Sequence, residues 1–322
     1  MSRVLVSGAA GFVGANLVRR LAEDGHEVTA LVRPGSDRWR LDGLSEAIRI
    51  VEADLRDTNS TGHAVRAAHP ERVFHLAAWG GYSWQTDPAR IAETLVSGTV
   101  NLLNACIETG ADSFVNTGSS SEYGYQDHAP EESETPVPNS PYATAKVAAT
   151  VHCRQAAGAA RTRIVTLRPY SAYGPWEEPN RLVPTLIVKG IRGELPPLVN
   201  PDVARDFLWI GDLVEAYLLA AEREPHEPGA VYNVATGVQT TIRQAVEVAR
   251  AEFAIKAEPQ WGSMPDRSWD TTCWIGNPGL IERTLGWAPT VEFADGFHRT
   301  AAWLRSNPAL LDSYSFRQSK PG

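Results

Sequence analysis

A tyrosine and a lysine one helical turn apart give this chain its clearest capacity for proton transfer. Tyr142 and Lys146 lie in the segment Ser140–Lys146, and a serine-rich segment, Ser119–Ser121, precedes them in the chain. A phenol ionises near pH ~10, but an ammonium four residues away on a helix stabilises the phenolate and lowers its pKa toward neutrality. Such a tyrosine can exchange a proton with an alcohol or a ketone while a serine hydroxyl holds the same oxygen. The alternative is a tyrosine at a helix start beside a solvated lysine.

The glycine-rich segment near the N-terminus favours the catalytic interpretation. An apolar strand, Val4–Val6, leads into Gly8–Gly14, and a helical stretch follows. Gly8 allows a tight turn, Gly11 lets the backbone approach a pyrophosphate, and Gly14 lets the helix pack against the strand. This strand–turn–helix context predicts a dinucleotide site. The cofactor contacts expected in it are Gly8, Gly11, Phe12, Val13 and Gly14.

The elements that must position these residues alternate between strands and helices. Strand-like runs separated by enough chain for crossover helices occur at Val4–Val6, Val28–Val32, Ile48–Val51, Val73–Leu76, Phe114–Val115 and Ile164–Leu167. The alternation predicts an α/β protein with a Rossmann-like, doubly wound parallel sheet. We expect a dinucleotide-binding domain over residues 1–170 and mainly a substrate-binding lobe over residues 171–322, where prolines punctuate the chain. A later strand, near Val231–Val234, should return to the sheet.

Composition excludes several classes of function. The 322 residues are 43% hydrophobic and 21% charged, as in an ordinary soluble protein, and no apolar run approaches the ~18 residues of a membrane span. An apolar strand follows Arg3 directly, so we expect no signal peptide and a cytoplasmic location. The net charge of −8 argues against a nucleic-acid partner. Cys106, Cys153 and Cys273 lack paired spacing, which predicts buried apolar residues and neither a metal site nor a disulfide framework.

The glycine segment and the Tyr-x-x-x-Lys pattern together resemble the extended short-chain dehydrogenase/reductase superfamily, the NAD(P)-dependent epimerase/dehydratases, which act largely on nucleotide sugars. Segments matching that family in order are Asp54-Leu55, His75–Ala78, Ser119–Gly124, Arg168-Pro169, Tyr173–Pro175, Arg205–Phe207 and Leu285–Trp287. The resemblance implies a catalytic triad of Ser119, Tyr142 and Lys146. It also implies further cofactor contacts from Asp54, Leu55, Leu76, Ala77, Ala78, Tyr142 and Lys146.

The end of the second strand bears on the choice of cofactor. NAD enzymes of this family carry an acidic residue where this chain has Val32, and Arg33 follows. A carboxylate would repel a 2′-phosphate, whereas a guanidinium binds it through paired, charge-assisted hydrogen bonds. We therefore expect NADP(H), with Arg38 or Arg40 assisting, and keep NAD(H) as the alternative.

The resemblance also implies substrate contacts in a nucleotide-sugar site. Arg205 and Arg267 match positions that bind the diphosphate, Asp270 matches an acid near the nucleotide ribose, and Arg181 falls where a diphosphate-binding asparagine is common. One departure is Leu95, which replaces a cofactor-site asparagine. The expected substrate contacts are Ser120, Ser121, Arg181, Arg205, Arg267 and Asp270.

Two further departures narrow the reaction that the resemblance implies. Ser120-Ser121 replaces the Asp-Glu pair of the 4,6-dehydratases, and Ser121 and Trp176 replace the cysteine and histidine of the 3,5-epimerase/4-reductases. We expect an NADPH-dependent reductase of a CDP- or dTDP-linked 4-keto-6-deoxysugar. A nucleotide-sugar 4-epimerase with tightly bound NAD is the alternative, and a non-catalytic NADP-binding regulatory protein is a third. The base, the sugar and the configuration at C4 stay open.

Helices near Pro88–Thr109 and Tyr142–Gln155 should pair in a homodimer.

Overall fold

The computed structural model describes residues 1–265 and 271–318. Within them the strands are β1 (Arg3–Ser7), β2 (Glu27–Val32), β3 (Ile48–Glu52), β4 (Arg72–His75), β5 (Ser113–Thr117), β6 (Arg163–Pro169), β7 (Ser171–Tyr173), β8 (Ala204–Arg205), β9 (Phe207–Trp209), β10 (Val231–Val234) and β11 (Thr240–Thr241). The α-helices are α1 (Phe12–Glu23), α2 (Thr58–Ala68), α3 (Pro88–Ala92), α4 (Gly98–Thr109), α5 (Pro141–Ala157), α6 (Leu182–Ile191), α7 (Ile210–Glu222), α8 (Ile242–Phe253), α9 (Gly279–Leu285), α10 (Phe293–Arg305) and α11 (Pro308–Gln318).

Seven parallel strands form one sheet in the order β10-β6-β5-β4-β1-β2-β3. Alternate side chains of each strand enter opposite apolar layers, as the two-residue period of a strand requires. Val4 and Val6 pack in the layer that contains α1 and α7, and Leu5 packs in the layer that contains α2 and α4. The predicted doubly wound parallel sheet is confirmed. Leu76 lies one residue beyond the end of β4.

A second apolar core supports the smaller lobe, which lies beyond β6. Side chains of α6, α8, α10 and α11 meet there, among them Ile187, Val246, Phe297 and Tyr314. The intervening chain returns to the sheet more than once, because α7 and Trp287 pack in the same apolar layer as Val4 and β10 pairs with β6. Two short ribbons, β7 with β9 and β8 with β11, complete this part of the fold.

The helix expected near Pro88–Thr109 is divided. A π-helical segment, Glu93–Ser97, separates α3 from α4. The first residue of α4, Gly98, packs closely on Leu55: a side chain added at Gly98 would lie 3.1 Å from the Leu55 Cβ. None of the described helices combines the length and apolar character needed to cross a membrane.

Candidate active site

Four segments converge at the carboxyl edge of the sheet. Gly8 follows β1, Leu76 follows β4, Ser119 lies just beyond β5, and Tyr170 follows β6. Since β1, β4, β5 and β6 are consecutive neighbours in the sheet, these segments lie side by side. The carboxyl edge of such a sheet is where ligands bind.

The glycine turn after β1 has the shape of a dinucleotide cradle. Gly8 has a φ of +69°, and a Cβ on it would lie 2.6 Å from the Ala77 backbone nitrogen. A Cβ on Gly14 would lie 2.2 Å from the Gly8 carbonyl oxygen. Gly11 caps α1 without a side-chain hydrogen bond, and the first turn of α1 carries no acidic residue. Backbone N–H groups at this helix terminus therefore fit a pyrophosphate.

The segment after β2 carries an exposed cation. Arg33 follows the buried Val32 and forms no salt bridge with any residue that the structure describes. The two arginines expected to assist it are engaged elsewhere. Arg38 pairs with Glu52. Arg40 is buried: its Nε donates to the Trp176 carbonyl oxygen at 2.7 Å, and its Nη2 donates to Glu178 at 2.9 Å. The suggestion that Arg40 assists cofactor binding is wrong, because its guanidinium is committed to the segment that follows β7.

The start of α5 positions the tyrosine and the lysine. The Ser140 hydroxyl accepts a hydrogen bond from the Ala143 N–H, and Pro141 occupies the first helical position, so the helix begins just before Tyr142. Lys146 lies one turn later, and its Nζ donates to the Thr117 carbonyl oxygen at 2.6 Å. The Nζ lies 5.8 Å from the centre of the Tyr142 ring.

The serine completes this arrangement. The Ser119 side chain faces the Tyr142 phenol and acts to lower its pKa. Ser119, Tyr142 and Lys146 therefore lie together at the carboxyl edge of the sheet.

Burial governs the ionisation of this group. Burial raises the pKa of Tyr142 to about 12, and this effect outweighs that of the Ser119 side chain, which lowers the same pKa. Burial also lowers the pKa of Lys146 to about 8. The expectation that Lys146 brings the phenol toward neutrality is wrong, because desolvation of the phenolate outweighs the stabilising charges. Tyr142 is consequently a proton donor at neutral pH.

A buried ion pair lies directly behind Ser119. Glu122 is fully buried and Arg168 nearly so, and the Arg168 Nε donates to Glu122 Oε2 at 2.9 Å. Glu122 Oε1 accepts a hydrogen bond from the Ser119 N–H at 2.9 Å. Our sequence analysis did not find this pair. The signal was an arginine directly after the apolar run of β6, since an arginine in a central strand needs a buried partner.

The segment after β4 covers the ring of Tyr142. A Cβ on Gly80 would lie 3.4 Å from Tyr142 Cδ2. Tyr82 stacks on Trp84, with ring centroids 4.6 Å apart. Arg181 lies over the Tyr82 ring at 5.2 Å from its centre. Sequence reasoning gave no role to the two aromatic rings, and the structure places them with Arg181 at the tyrosine.

The other predicted contacts lie at several places. Four of the predicted cofactor contacts border the sheet edge: Leu55, Leu76, Ala77 and Ala78. A fifth, Asp54, forms a salt bridge with Arg56 at 2.6 Å. Leu95 is buried. Ser120 is buried beside a small pocket lined in part by Tyr170 and Trp274, and Ser121 is partly exposed. Arg205 lies 5.7 Å from the centre of the Trp274 ring. Arg267 and Asp270 lie outside the described residues.

The cysteines differ from the expectation in one respect. Cys106 and Cys153 are buried, but Cys273 is only partly buried because it lies at the rim of that pocket.

Comparison with known proteins identifies the family. Residues 4–235 match the model of the NAD dependent epimerase/dehydratase family. The UDP-glucose 4-epimerase of Mycolicibacterium smegmatis is 31% identical, covering 94% of this chain and 99% of that protein. The GDP-6-deoxy-D-mannose reductase of Pseudomonas aeruginosa is 29% identical, covering 90% of this chain and 92% of that protein.

A solved structure of a related enzyme has a similar fold. The crystal structure of UDP-glucose 4-epimerase with UDP-glucose from Thermotoga maritima has a TM-score of 0.86 and 28% identity, covering 95% of this chain and 99% of that one. The similarity thus includes both the sheet and the smaller lobe. With a strand–glycine–helix cradle, a serine–tyrosine–lysine group beside it and a family model that matches most of its length, this chain belongs to the NAD dependent epimerase/dehydratase family.

Proposed function

We propose that the protein is an NADPH-dependent reductase of a nucleoside-diphosphate 4-keto-6-deoxysugar, with CDP or dTDP as the nucleotide. The observation that carries this proposal is the segment after β2. Val32 ends the strand where NAD enzymes of the family carry an acid, and the exposed Arg33 forms no salt bridge with a described residue. A cation at this position favours the additional phosphate of NADP(H). NADPH, when bound, supplies the hydride for reduction of a ketone.

The cradle and its neighbours would hold the cofactor. The pyrophosphate fits the N-terminus of α1, and Arg33 binds the 2′-phosphate. Lys146 and Tyr142 lie on the nicotinamide side by analogy with the family. Asp54, Leu55 and the segment Leu76–Ala78 follow strands on either side of β1, where the rest of the dinucleotide would extend.

Three residues would carry out the proton chemistry. Tyr142 donates its proton to the oxygen at C4 as the carbon is reduced, and the Ser119 hydroxyl holds the same oxygen. The Lys146 ammonium stabilises the phenolate that Tyr142 becomes. Since burial raises the pKa of Tyr142 to about 12, this acid is an uncharged phenol that keeps its proton at neutral pH.

The substrate diphosphate would lie in the smaller lobe. Arg205, Arg267 and Arg181 are its proposed ligands, Asp270 would contact the nucleotide ribose, and Ser120 and Ser121 would border the sugar. Arg181 reaches the segment over Tyr142, where its Nη2 donates to the Gly81 carbonyl oxygen at 3.3 Å. It would therefore contact the sugar end of the diphosphate.

A nucleotide-sugar 4-epimerase is the second candidate, and the relatives favour it. Two of the similar proteins above are UDP-glucose 4-epimerases. An epimerase would use the same residues in both directions and retain NAD between turnovers. The ultraviolet spectrum of the purified protein, with identification of the released nucleotide, separates the two functions. Stoichiometric NAD would contradict the reductase proposal, and turnover of a 4-keto-6-deoxysugar nucleotide with NADPH would support it.

Replacement of Arg33 tests the cofactor directly. Arg33→Ala should weaken NADPH by roughly ten- to a hundred-fold, because it loses charge-assisted contacts that stabilise binding by about 1.5–3 kcal/mol. NADH binding should change little. Arg192→Ala is the matched control, since Arg192 is exposed at the end of α6 in the smaller lobe. Both affinities can be measured by the fluorescence of the bound nicotinamide, and equal losses for NADPH and NADH would reject the assignment.

A further inference from the structure

We propose that Glu122 is a positioning residue for the proton transfer: held by Arg168, its carboxylate fixes Ser119 at Tyr142 and places a negative charge behind Tyr142 and Lys146. This inference rests on the reductase function proposed above and assigns a role to a residue outside the triad.

The carboxylate of Glu122 is saturated with donors. Oε1 accepts hydrogen bonds from the Ser119 N–H at 2.9 Å and from the Thr150 hydroxyl at 3.0 Å. Oε2 accepts from the Arg168 Nε at 2.9 Å, and the Arg168 Nη2 lies 2.9 Å from the same oxygen. Glu122 thus joins the segment after β5 to β6 and α5. Displacement of its carboxylate would move the Ser119 backbone.

The surrounding backbone leaves room for this carboxylate. A Cβ on Gly118 would lie 2.5 Å from Glu122 Oε1, so a larger residue at this position would push the carboxylate away. Ser119 and Glu122 also form a reciprocal capping arrangement around the 3₁₀ turn Ser120–Tyr123. The orientation of Ser119 therefore depends on Glu122 through two hydrogen bonds.

Arg168 fixes the other side of Glu122. Its Nη1 donates to the Tyr123 hydroxyl at 2.8 Å, and that hydroxyl donates to Asn233 Oδ1 at 2.8 Å. The network therefore extends across β6 to β10. A buried ion pair satisfied on both sides keeps its geometry, because breaking one partner leaves an uncompensated charge.

The charge of Glu122 acts on both titrating groups of the triad. It raises the pKa of Tyr142 and opposes the effect of burial on the pKa of Lys146. Retention of the proton on Tyr142 favours reduction of a ketone, which needs the acid form.

Charged and titratable groups also face the triad from other elements. Arg181 and Tyr82 act on Tyr142, and Tyr142 in turn acts on Tyr217 from α7. Burial raises the pKa of Tyr82 and of Tyr217. These phenols are therefore uncharged near neutral pH.

Besides Glu122 and Tyr142, a cysteine and a histidine face Lys146. Burial raises the pKa of Cys153 to about 12 and lowers the pKa of His75 to about 3, so both are neutral near pH 7. Within residues 1–265 and 271–318, Glu122 supplies the carboxylate charge that acts on both Tyr142 and Lys146.

The ionisation of Lys146 in the free protein tests the proposal without a substrate. Protein labelled with ¹³C at lysine Cε is titrated by NMR, and the Lys146 resonance is assigned by its loss in Lys146→Met. Glu122→Gln should move the Lys146 midpoint to lower pH by about one unit, because the ammonium loses a neighbouring opposite charge. An unmoved midpoint overturns the proposal.

Thr150→Val provides the matched control. It removes one hydrogen bond to Glu122 Oε1 and keeps the charge. The Lys146 midpoint should stay in place in this variant. Equal shifts in the two variants would show that local repacking moves the midpoint and would also overturn the proposal.

Glu122→Gln leaves Arg168 buried and unpaired, so it can fail to fold. The double variant Glu122→Gln/Arg168→Gln removes both charges and leaves no buried ion unpaired. The Lys146 midpoint should again move to lower pH, by less than in the single variant, because Glu122 acts directly on Lys146 while loss of the Arg168 cation acts in the opposite direction. With a sugar nucleotide that the wild type reduces, Glu122→Gln should lower kcat at least tenfold, leave the NADPH affinity unchanged and move the high-pH limb to lower pH. A wild type that reduces no such substrate rejects the proposed function, whereas the NMR result judges Glu122 independently.

Discussion

Under the proposed function, the protonation state of Tyr142 decides which proton transfer the site is ready to make. Reduction of a ketone requires a phenol, and oxidation of an alcohol requires a phenolate. Burial raises the pKa of Tyr142 to about 12, so near neutral pH the phenol holds the proton that reduction needs. Lys146, whose pKa burial lowers to about 8, changes charge first as the pH rises. We expect the high-pH limb of the reduction rate to follow Lys146.

Replacement of Tyr142 by phenylalanine tests its role as the acid. Tyr142→Phe removes one oxygen, so folding and NADPH binding should survive while the proton donor is lost. The single-turnover rate of ketone reduction should fall by about 10²–10⁴-fold, the usual contribution of a general acid. Tyr125→Phe, at a half-exposed tyrosine, is the control and should retain full activity. A Tyr142→Phe protein that binds NADPH and keeps more than about a tenth of the rate contradicts the mechanism.

A second buried acid should make stability depend on pH. Burial raises the pKa of Glu177 to about 8, and its Oε2 has no hydrogen-bond partner in the described structure. The native state keeps this proton up to about pH 8, whereas the unfolded state loses it near pH 4.5. Between these values the stabilisation from this group therefore decreases as the pH rises, by up to about 1.4 kcal/mol per pH unit.

The variant Glu177→Gln cannot ionise and should avoid that loss. Its free energy of unfolding, relative to wild type, should increase steadily from pH 4.5 to pH 8. Urea denaturation at several pH values measures the difference. Glu46→Gln is the matched control, because Glu46 is exposed and lies far along the chain from Glu177. A constant difference between Glu177→Gln and wild type would contradict the assigned ionisation.

At the scale of single residues, local motifs pointed to Ser119, Tyr142 and Lys146, which lie together in the structure, and missed the ion pair behind them. Ser119, Tyr142 and Lys146 belong to local patterns whose spacing is visible in the chain. Glu122 and Arg168 are 46 residues apart and meet only because β5 and β6 are neighbours in the sheet. The pKa of Tyr142 was predicted with the wrong sign for the same reason: enclosure by distant segments is not visible in a local pattern.

The turn between β1 and α1 is the element on which the proposed cofactor site depends most. A Cβ on Gly14 would lie 2.2 Å from the Gly8 carbonyl oxygen and 2.9 Å from the Ala9 Cα. These are backbone atoms, so no side chain can rotate away to remove the clash. Gly14→Ala should therefore destabilise the fold by about 1–3 kcal/mol, the usual cost of overpacking, and weaken the cofactor. Thermal denaturation with and without NADPH measures both effects.

Gly158→Ala is the control for that experiment. Gly158 ends α5 with φ −66° and ψ −19°, and a Cβ there would meet only the Gln155 carbonyl oxygen, at 3.6 Å. Its stability and cofactor affinity should match the wild type. If Gly14→Ala bound NADPH as tightly as Gly158→Ala does, the phosphate cradle would lie elsewhere.

Strands and most helices could be predicted because each is a continuous run of one periodicity. The π-helical Glu93–Ser97 could not, because one extra residue in a turn leaves the surrounding pattern of apolar residues nearly unchanged. The close contact of Gly98 with Leu55 lies between α4 and the segment after β3, and so depends on tertiary structure.

For the whole molecule, a homodimer stays a prediction, and α5 offers a surface for it. Val151 on this helix is 58% exposed, and Ala148 beside it is exposed as well. Light scattering should show a dimer at micromolar concentration. Val151→Glu should dissociate it, because a charge in an apolar interface is poorly tolerated.

Val137→Glu is the control for the dimer, since Val137 is 64% exposed and lies outside α5. This variant should remain dimeric. A wild type that scatters light as a stable monomer would refute the pairing of these helices.

The crossing of the chain between lobes was only partly visible in the sequence. Residues 171–173 begin the smaller lobe, yet α7 and Trp287 pack against the sheet. The density of prolines indicated where the smaller lobe begins. Helical periodicity shows which face of a helix is apolar, but it does not show which of the two cores that face contacts.

Arg40 joins the segment that follows β2 to the segment that follows β7. Its guanidinium is buried and holds both the Trp176 carbonyl oxygen and Glu178. Under the proposed function these segments serve the cofactor and the sugar nucleotide, so the two ligands would share one rigid connection. If binding of one ligand shifts this connection, the coupling must be reciprocal, so that each ligand changes the affinity of the other by the same factor. An enzyme linked in this way reports the occupancy of one ligand in the dissociation constant of the other, even where the two molecules never touch.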